Sequence, residues 1–160
     1  MAEIYQSAAS LNVSSDELEI AHVSHLLEAE PDLAYEKRKE RVLPNGNRII
    51  AHTGLWSRSA EYRIPGDLDG QIAELFTPLS QDLDHWLDVS SRYRIRIFCG
   101  LWLKDENEGI DLDPQTLIEV ALRNASIEFD IYSPVKPSPC SSLGQTEVYG
   151  RSVLRRWTSL

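Results

Sequence analysis

Residues 92–132 constrain this chain more than any other stretch. Arg-Tyr-Arg-Ile-Arg-Ile-Phe-Cys-Gly-Leu-Trp-Leu at 92–103 alternates in the period-two manner of a strand. Lys104 to Gly109 is polar and reads as a loop. Asp113-Pro114 is a strong helix start, because aspartate caps orphan amides and proline suits the first helical position. Leu117, Ile118, Ala121 and Leu122 follow at helical spacing and are expected to face inward, with Asn124 ending the helix. Ile127, Phe129 and Ile131 then alternate with Glu128, Asp130 and Tyr132 as a closing strand. The order strand, helix, strand demands a layered fold with a sheet.

The upstream half repeats the theme. Residues 4–13 alternate as a first strand, with Tyr5, Ala9, Leu11 and Val13 on one face. Ser14-Ser15-Asp16-Glu17 forms a capping-box pattern, which predicts a helix from Ser14 to about Glu28 with Ile20, Val23, Leu26 and Leu27 inward. Pro31 stops it, and the charged residues 32–47 read as a loop. Asn45-Gly46 predicts a type I′ hairpin with arms Val42-Leu43 and Ile49-Ile50, the first shortened by Pro44. The second arm is expected to continue through Leu55-Trp56-Ser57, bending near Gly54. Pro65-Gly66-Asp67 is a turn into a helix carrying Ile72, Leu75, Phe76 and Leu79. Pro78 breaks it, and Leu83, Trp86 and Leu87 belong to a second piece.

The expected architecture is therefore α+β. A four-stranded, mainly antiparallel sheet is built from ferredoxin-like strand–helix–strand pairs, with the helices on one face and a helical connector between the halves. Residues 1–132 form one domain. Residues 133–160 read as a Pro/Ser-rich linker and tail, whose last stretch carries Tyr149, Val153, Leu154 and Trp157.

Charge narrows the partners. The net charge is −9, and residues 1–132 hold 12 Lys/Arg against 24 Asp/Glu. Nucleic acid is disfavoured, since its binders need cations to displace phosphate counterions. No long apolar run fits a bilayer span, and Met1-Ala-Glu-Ile-Tyr5 has neither the basic nor the apolar part of a secretory signal. With only Cys99 and Cys140, in a strand and in the tail, free thiols and a cytoplasmic setting are expected.

Candidate functional residues fall into five groups. If helices cover the aliphatic side of the sheet, the other side gathers Arg94, Arg96, Phe98, Trp102, Glu128, Asp130 and Tyr132, with Trp56 and Arg58 joining them. Arginine and aromatic residues are favoured binding anchors. The competing reading is a solvated face of cross-strand ion pairs, each contributing about 0.2–1 kcal/mol. His22 and His25, three apart, are weak metal candidates that need a third ligand such as Asp16, Glu19 or His52. His52 and His85, with Asp82, Asp84 and Asp88, have the residue types of a general base but no convincing nucleophile; Cys99 sits among apolar neighbours. The acidic loop 104–113 does not keep the alternate ligand spacing of a calcium hand. Arg155, Arg156 and Trp157 form a basic aromatic end.

Gly54-Leu-Trp-Ser57, the amphipathic helices after it, the strand around Ile95-Arg-Ile97, Leu112-Asp-Pro-Gln-Thr-Leu117 and Asp130-Ile-Tyr132, with Glu30-Pro31-Asp32 upstream, resemble the bacterial domain-of-unknown-function family 4279 over residues 5–132. The resemblance implies a small bacterial cytosolic domain and supplies no activity or catalytic residue. The expectation is a non-enzymatic binding protein without a cofactor, whose partner is another protein. One version is an immunity-type protein that blocks a basic toxin. The alternatives are a small-molecule or weakly catalytic pocket near Trp56, Arg94, Arg96 and Asp130, and a homodimer or larger homo-oligomer paired through the open face.

Overall fold

A computed structural model describes residues 4–42 and 45–133. Its central element is β1 (Gln6–Ser15), which pairs antiparallel with β5 (Gly54–Ser59) on one side and with β6 (Arg94–Trp102) on the other. β2 (Leu33–Tyr35) adds antiparallel to β5, and β7 (Ser126–Tyr132) adds parallel to β6. The sheet is thus mixed and five-stranded, in the order β2-β5-β1-β6-β7. A separate two-stranded ribbon joins β3 (Glu40–Val42) to β4 (Arg48–Ile50). Between them run α1 (Ile20–Leu27), α2 (Leu68–Phe76), α3 (Leu83–Arg92) and α4 (Pro114–Leu122).

The α+β class and the single helix-bearing face agree with the sequence. The count of four strands does not, because residues 33–35, in a stretch that reads as loop, form β2 as a fifth; three of the four pairings are antiparallel and β6–β7 is parallel, so the sheet is mixed. Only Leu33, Ala34 and Tyr35 are extended there, too few for a period to show. The ferredoxin-like pairing is not what this strand order reproduces: β6 and β7 are direct parallel neighbours bridged by α4, and β1 and β5 are antiparallel neighbours.

The core lies between one sheet face and the helices. Leu11, Val13, Trp56, Ile97 and Cys99 meet Val23, Leu27, Ile72, Trp86 and Val89, all of them essentially solvent-free. Burying each large apolar side chain contributes about 1.5–3 kcal/mol. The helix starts differ in how they are made. Asp67 accepts a hydrogen bond from the Gly70 amide at 2.8 Å, and Asp82 from the Asp84 amide at 2.9 Å. Ser14 does not cap α1. It lies inside β1, opposite Leu55 and Arg94, and α1 begins only at Ile20. Two flanking strands outcompete one capping bond, so tertiary pairing overrides the local signal.

A turn at Asn45-Gly46 joins β3 and β4, with Gly46 at φ +83° and the Asn45 side chain accepting from the Asn47 amide at 3.0 Å, but Val42 pairs with Arg48, a register centred on Asn45, so it is not the two-residue type I′ hairpin expected. Leu43 and Pro44 lie outside the described residues. The second arm stops at Ile50, and β5 is a separate strand. α2 ends before Pro78 as expected, while α3 runs on to Arg92 rather than stopping near Asp88.

A polar knot fastens α2 to β1. The buried Gln71 side chain accepts from the Ser7 hydroxyl at 2.7 Å and donates to the Ser7 and Glu61 carbonyls at 3.2 and 2.6 Å. Full pairing is what makes such a group tolerable in a core. Gly54 has a different constraint. A Cβ there would lie 2.7 Å from the Leu18 Cβ and 2.9 Å from the Ser15 carbonyl oxygen. Gly54→Ala is therefore expected to destabilise the fold by about 1–3 kcal/mol, through forced displacement of backbone in a packed site. Urea unfolding of the two proteins checks it, and equal midpoints would contradict the crowding.

Candidate functional site

The face of the sheet opposite the helices follows from the register. Arg94, Arg96, Phe98, Gly100 and Trp102 on β6 stand opposite Ser14, Asn12, Ser10, Ala8 and Gln6 on β1. Arg96, Phe98 and Trp102 stand opposite Ser126, Glu128 and Tyr132 on β7. Alternation therefore does bring seven predicted residues together: Arg94, Arg96, Phe98, Trp102, Glu128, Asp130 and Tyr132.

Their chemistry is largely mutual. Arg96 Nη1 donates to Glu128 Oε2 at 2.9 Å. Trp102 and Tyr132 stack, with ring centroids 5.1 Å apart and planes within 9°. Tyr62 leans on Trp102 at 6.2 Å, and burial raises its hydroxyl above the usual phenol range. The Tyr132 hydroxyl donates to Asp130 Oδ2 at 2.6 Å. In the middle of the face the Ser57 hydroxyl donates to Asn12 Oδ1 at 2.6 Å, and Asn12 Nδ2 donates to Ser10 Oγ at 3.2 Å. Phe98 and Trp102 are buried. This side is a small-polar floor closed by an aromatic stack at one end, with Arg94 exposed at the other.

Trp56 and Arg58 do not belong to it. They pair with Val13 and Leu11 and so share the helix side. Trp56 is fully buried and donates its indole N–H to the Ser24 hydroxyl at 3.0 Å, and Arg58 Nη1 donates to the Glu30 carbonyl at 2.8 Å. A pocket combining Trp56 with Arg94, Arg96 and Asp130 is therefore ruled out by register, because β5 begins at Gly54 in a phase that turns even-numbered residues inward.

The other candidates separate. His22 reaches across the α1–α3 seam, 3.6 Å from Asp88 and 3.4 Å from the Tyr93 hydroxyl. His25 instead lines a groove of about 470 Å³ with Glu28, Glu30 and His85. His85 is held by the Ser80 hydroxyl at 3.0 Å, and His52 is exposed on the segment between β4 and β5. Among the described residues no group of three His, Cys, Asp or Glu side chains is placed to hold a metal. In the acidic loop, Glu108 is turned onto protein donors, accepting from the Tyr5, Lys104 and Asp105 amides. Arg155, Arg156 and Trp157 lie outside the described residues, as does the whole tail from 134.

The feature that sequence reasoning placed wrongly is the outer side of α4. Its buried residues are Thr116, Val120 and Arg123, whereas Leu117, Ile118 and Leu122, expected inward, are about half exposed. Arg123 explains the rotation. Its side chain is buried, donates to the Glu119 carboxylate and to Gln81 Oε1, and lies over the rings of Phe76 and Trp86 at 4.5 and 5.4 Å. A buried guanidinium is stable only with such pairing and stacking, and meeting that need orients the helix. On the same side of the sheet Phe129 and Ile131 of β7 are 45% and 60% exposed. Leu117, Ile118, Leu122, Phe129 and Ile131 are thus exposed apolar residues on two elements, α4 and β7, that touch each other. The signal was legible: Leu117, Ile118, Val120, Ala121 and Leu122 leave this helix apolar almost all round, more than one buried line can use.

Residues 2–134 match the model of a family described as a domain of unknown function, DUF4279. The chain belongs to this family. No curated protein and no solved structure matches it significantly. The match spans all the described strands and helices, so the Gly54-Leu-Trp-Ser57 segment of this DUF4279 domain can be assigned a role in packing: Gly54 admits Leu18, and Trp56 fills the core. Among the described residues no helix is long and apolar enough to cross a membrane.

Cys99 of this DUF4279 domain is buried on β6, and burial pushes its thiol up to about 12. In a Cys140→Ser variant, a thiol-specific chromogenic reagent at pH 8 should leave the native protein unmodified and titrate one thiol in urea. Folded Cys99 keeps a proton that an unfolded thiol releases near 9, so the fold loses stability as pH rises from about 9 toward 12. Rapid native modification would contradict both statements.

Proposed function

We propose that this chain is a non-catalytic protein-binding module whose contact surface runs around β7 and α4. The observation that carries this reading is the apolar set of Leu117, Ile118, Leu122, Phe129 and Ile131, each between 45% and 60% exposed. Single exposed apolar residues are ordinary, but five of them on two touching elements support an interaction surface. The charge of −9 adds a preference for a basic partner and for association that is fast and salt-sensitive. An immunity-type role, in which the chain blocks a basic toxin in the cytoplasm of a bacterium, is one form of this reading and rests on that charge alone.

The test is capture of a partner from cell lysate by wild type, Ile118→Asp and Leu122→Asp. Both substitutions fall at half-exposed positions, so folding stability should change by less than about 1 kcal/mol, and circular dichroism melting verifies it. A stoichiometric protein held by wild type, released at raised salt and lost from both variants is expected. Equal capture by all three would remove these residues from the interface.

A further inference from the structure

We infer that the free edge of β7 takes an extended segment of a partner protein in which basic and apolar residues alternate, added as a sixth strand. This deepens the binding reading above and rests on it. The backbone geometry comes first. The Leu103 amide donates to the Tyr132 carbonyl at 2.9 Å, so the main-chain groups of Tyr132 point toward β6. Alternation sends those of Glu128 and Asp130 the same way, and those of Ile127, Phe129 and Ile131 away from β6. Among the described residues no strand lies beyond β7. β7 contains no proline or lysine of the kind that blunts an edge against pairing.

The side chains specify the occupant. An added strand would have one row of side chains on the helix side, against Phe129 and Ile131. Its alternate row would lie on the opposite side, beside Glu128 and Asp130. Apolar residues suit the first row and cations the second. A second copy of this chain suits neither row as well. Antiparallel two-fold pairing centred on Phe129 sets Glu128 against Asp130 of the copy, and centring on Glu128 or Asp130 sets that carboxylate against itself. Like charges directly opposite are unfavourable, so the acidic row disfavours self-pairing in these registers, which overlap β7 most fully, while attracting a basic strand. Main-chain hydrogen bonds would supply affinity, and the two rows the specificity.

The probe is a short end-blocked peptide of alternating lysine and valine. It is compared with a glutamate–valine peptide, and with the same lysines and valines arranged in two blocks. Amide hydrogen exchange of the full chain is the readout. The alternating basic peptide should slow exchange at Ile127, Phe129 and Ile131 by about tenfold or more, and less so at high salt. Neither comparison peptide should do this. Ile131→Pro, which removes an outward amide at an edge position, should weaken peptide binding at least about tenfold beyond Ile131→Ala, which keeps it. Equal protection by the glutamate peptide, protection confined to other strands, or equal binding by the two Ile131 variants would overturn the inference. Protection of these amides in the free chain would also overturn it, assigning the edge to residues 134–160 or, if the sedimentation mass doubles, to a second copy. If the Ile118→Asp variant loses the cellular partner but Ile131→Pro holds it as well as Ile131→Ala, the surface stands and strand addition fails.

Discussion

Strand β1 is paired along both edges and buried along most of its length, and the other elements take their places from it. A strand in that position needs small or apolar side chains on both faces, and Ser-Ala-Ala-Ser-Leu-Asn-Val at 7–13 supplies them. Its helix-side row, Ala9, Leu11 and Val13, sets the floor of the core. Its other row, Ser10 and Asn12, is short enough to let the Ser57, Phe98 and Arg96 side chains close over it. The same pairing extends β1 past Ser14 and moves the start of α1 to Ile20.

The two sides of the sheet solve the problem of polar burial differently. On the open side, the Ser57–Asn12–Ser10 chain and the Arg96–Glu128 pair supply most of the polar partners, with aromatic rings stacked beside them, while Arg96 Nε is buried with no partner among the described residues. That side is consequently better finished than a row of arginines and aromatics suggests. On the helix side, the demand falls on Arg123, whose guanidinium must find Glu119, Gln81 and two aromatic faces. Satisfying it turns α4 so that its leucines and isoleucine look outward.

The second half of the fold was readable because its signals are long and locally consistent. β6 opens on the alternation Arg94-Ile95-Arg96-Ile97, and Pro114 starts α4 as expected, although the Asp113 side chain makes no capping hydrogen bond there. The failures share a cause. Ser14 has the local sequence of a cap, residues 33–35 that of a loop, and Trp56 and Arg58 that of open-face residues. In each case the deciding partner lies far away in sequence: Arg94 and Leu55 for Ser14, Ser57 and Leu55 for β2, Val13 and Leu11 for Trp56 and Arg58. Three extended residues carry no period, and the phase of a strand is invisible until its neighbour is known.

The sequence by itself determined the α+β class, a turn at Asn45-Gly46, the presence of the helices and the acidic net charge, because these depend on composition and on spacing within a few residues. Family membership was likewise legible from the order of its motifs. Only the tertiary structure decided the strand order, which face receives Trp56, how α4 is turned, and that β7 ends the sheet among the described residues. Those outcomes depend on pairing register and on the cost of burying Arg123, and both are set by contacts between residues distant in the chain.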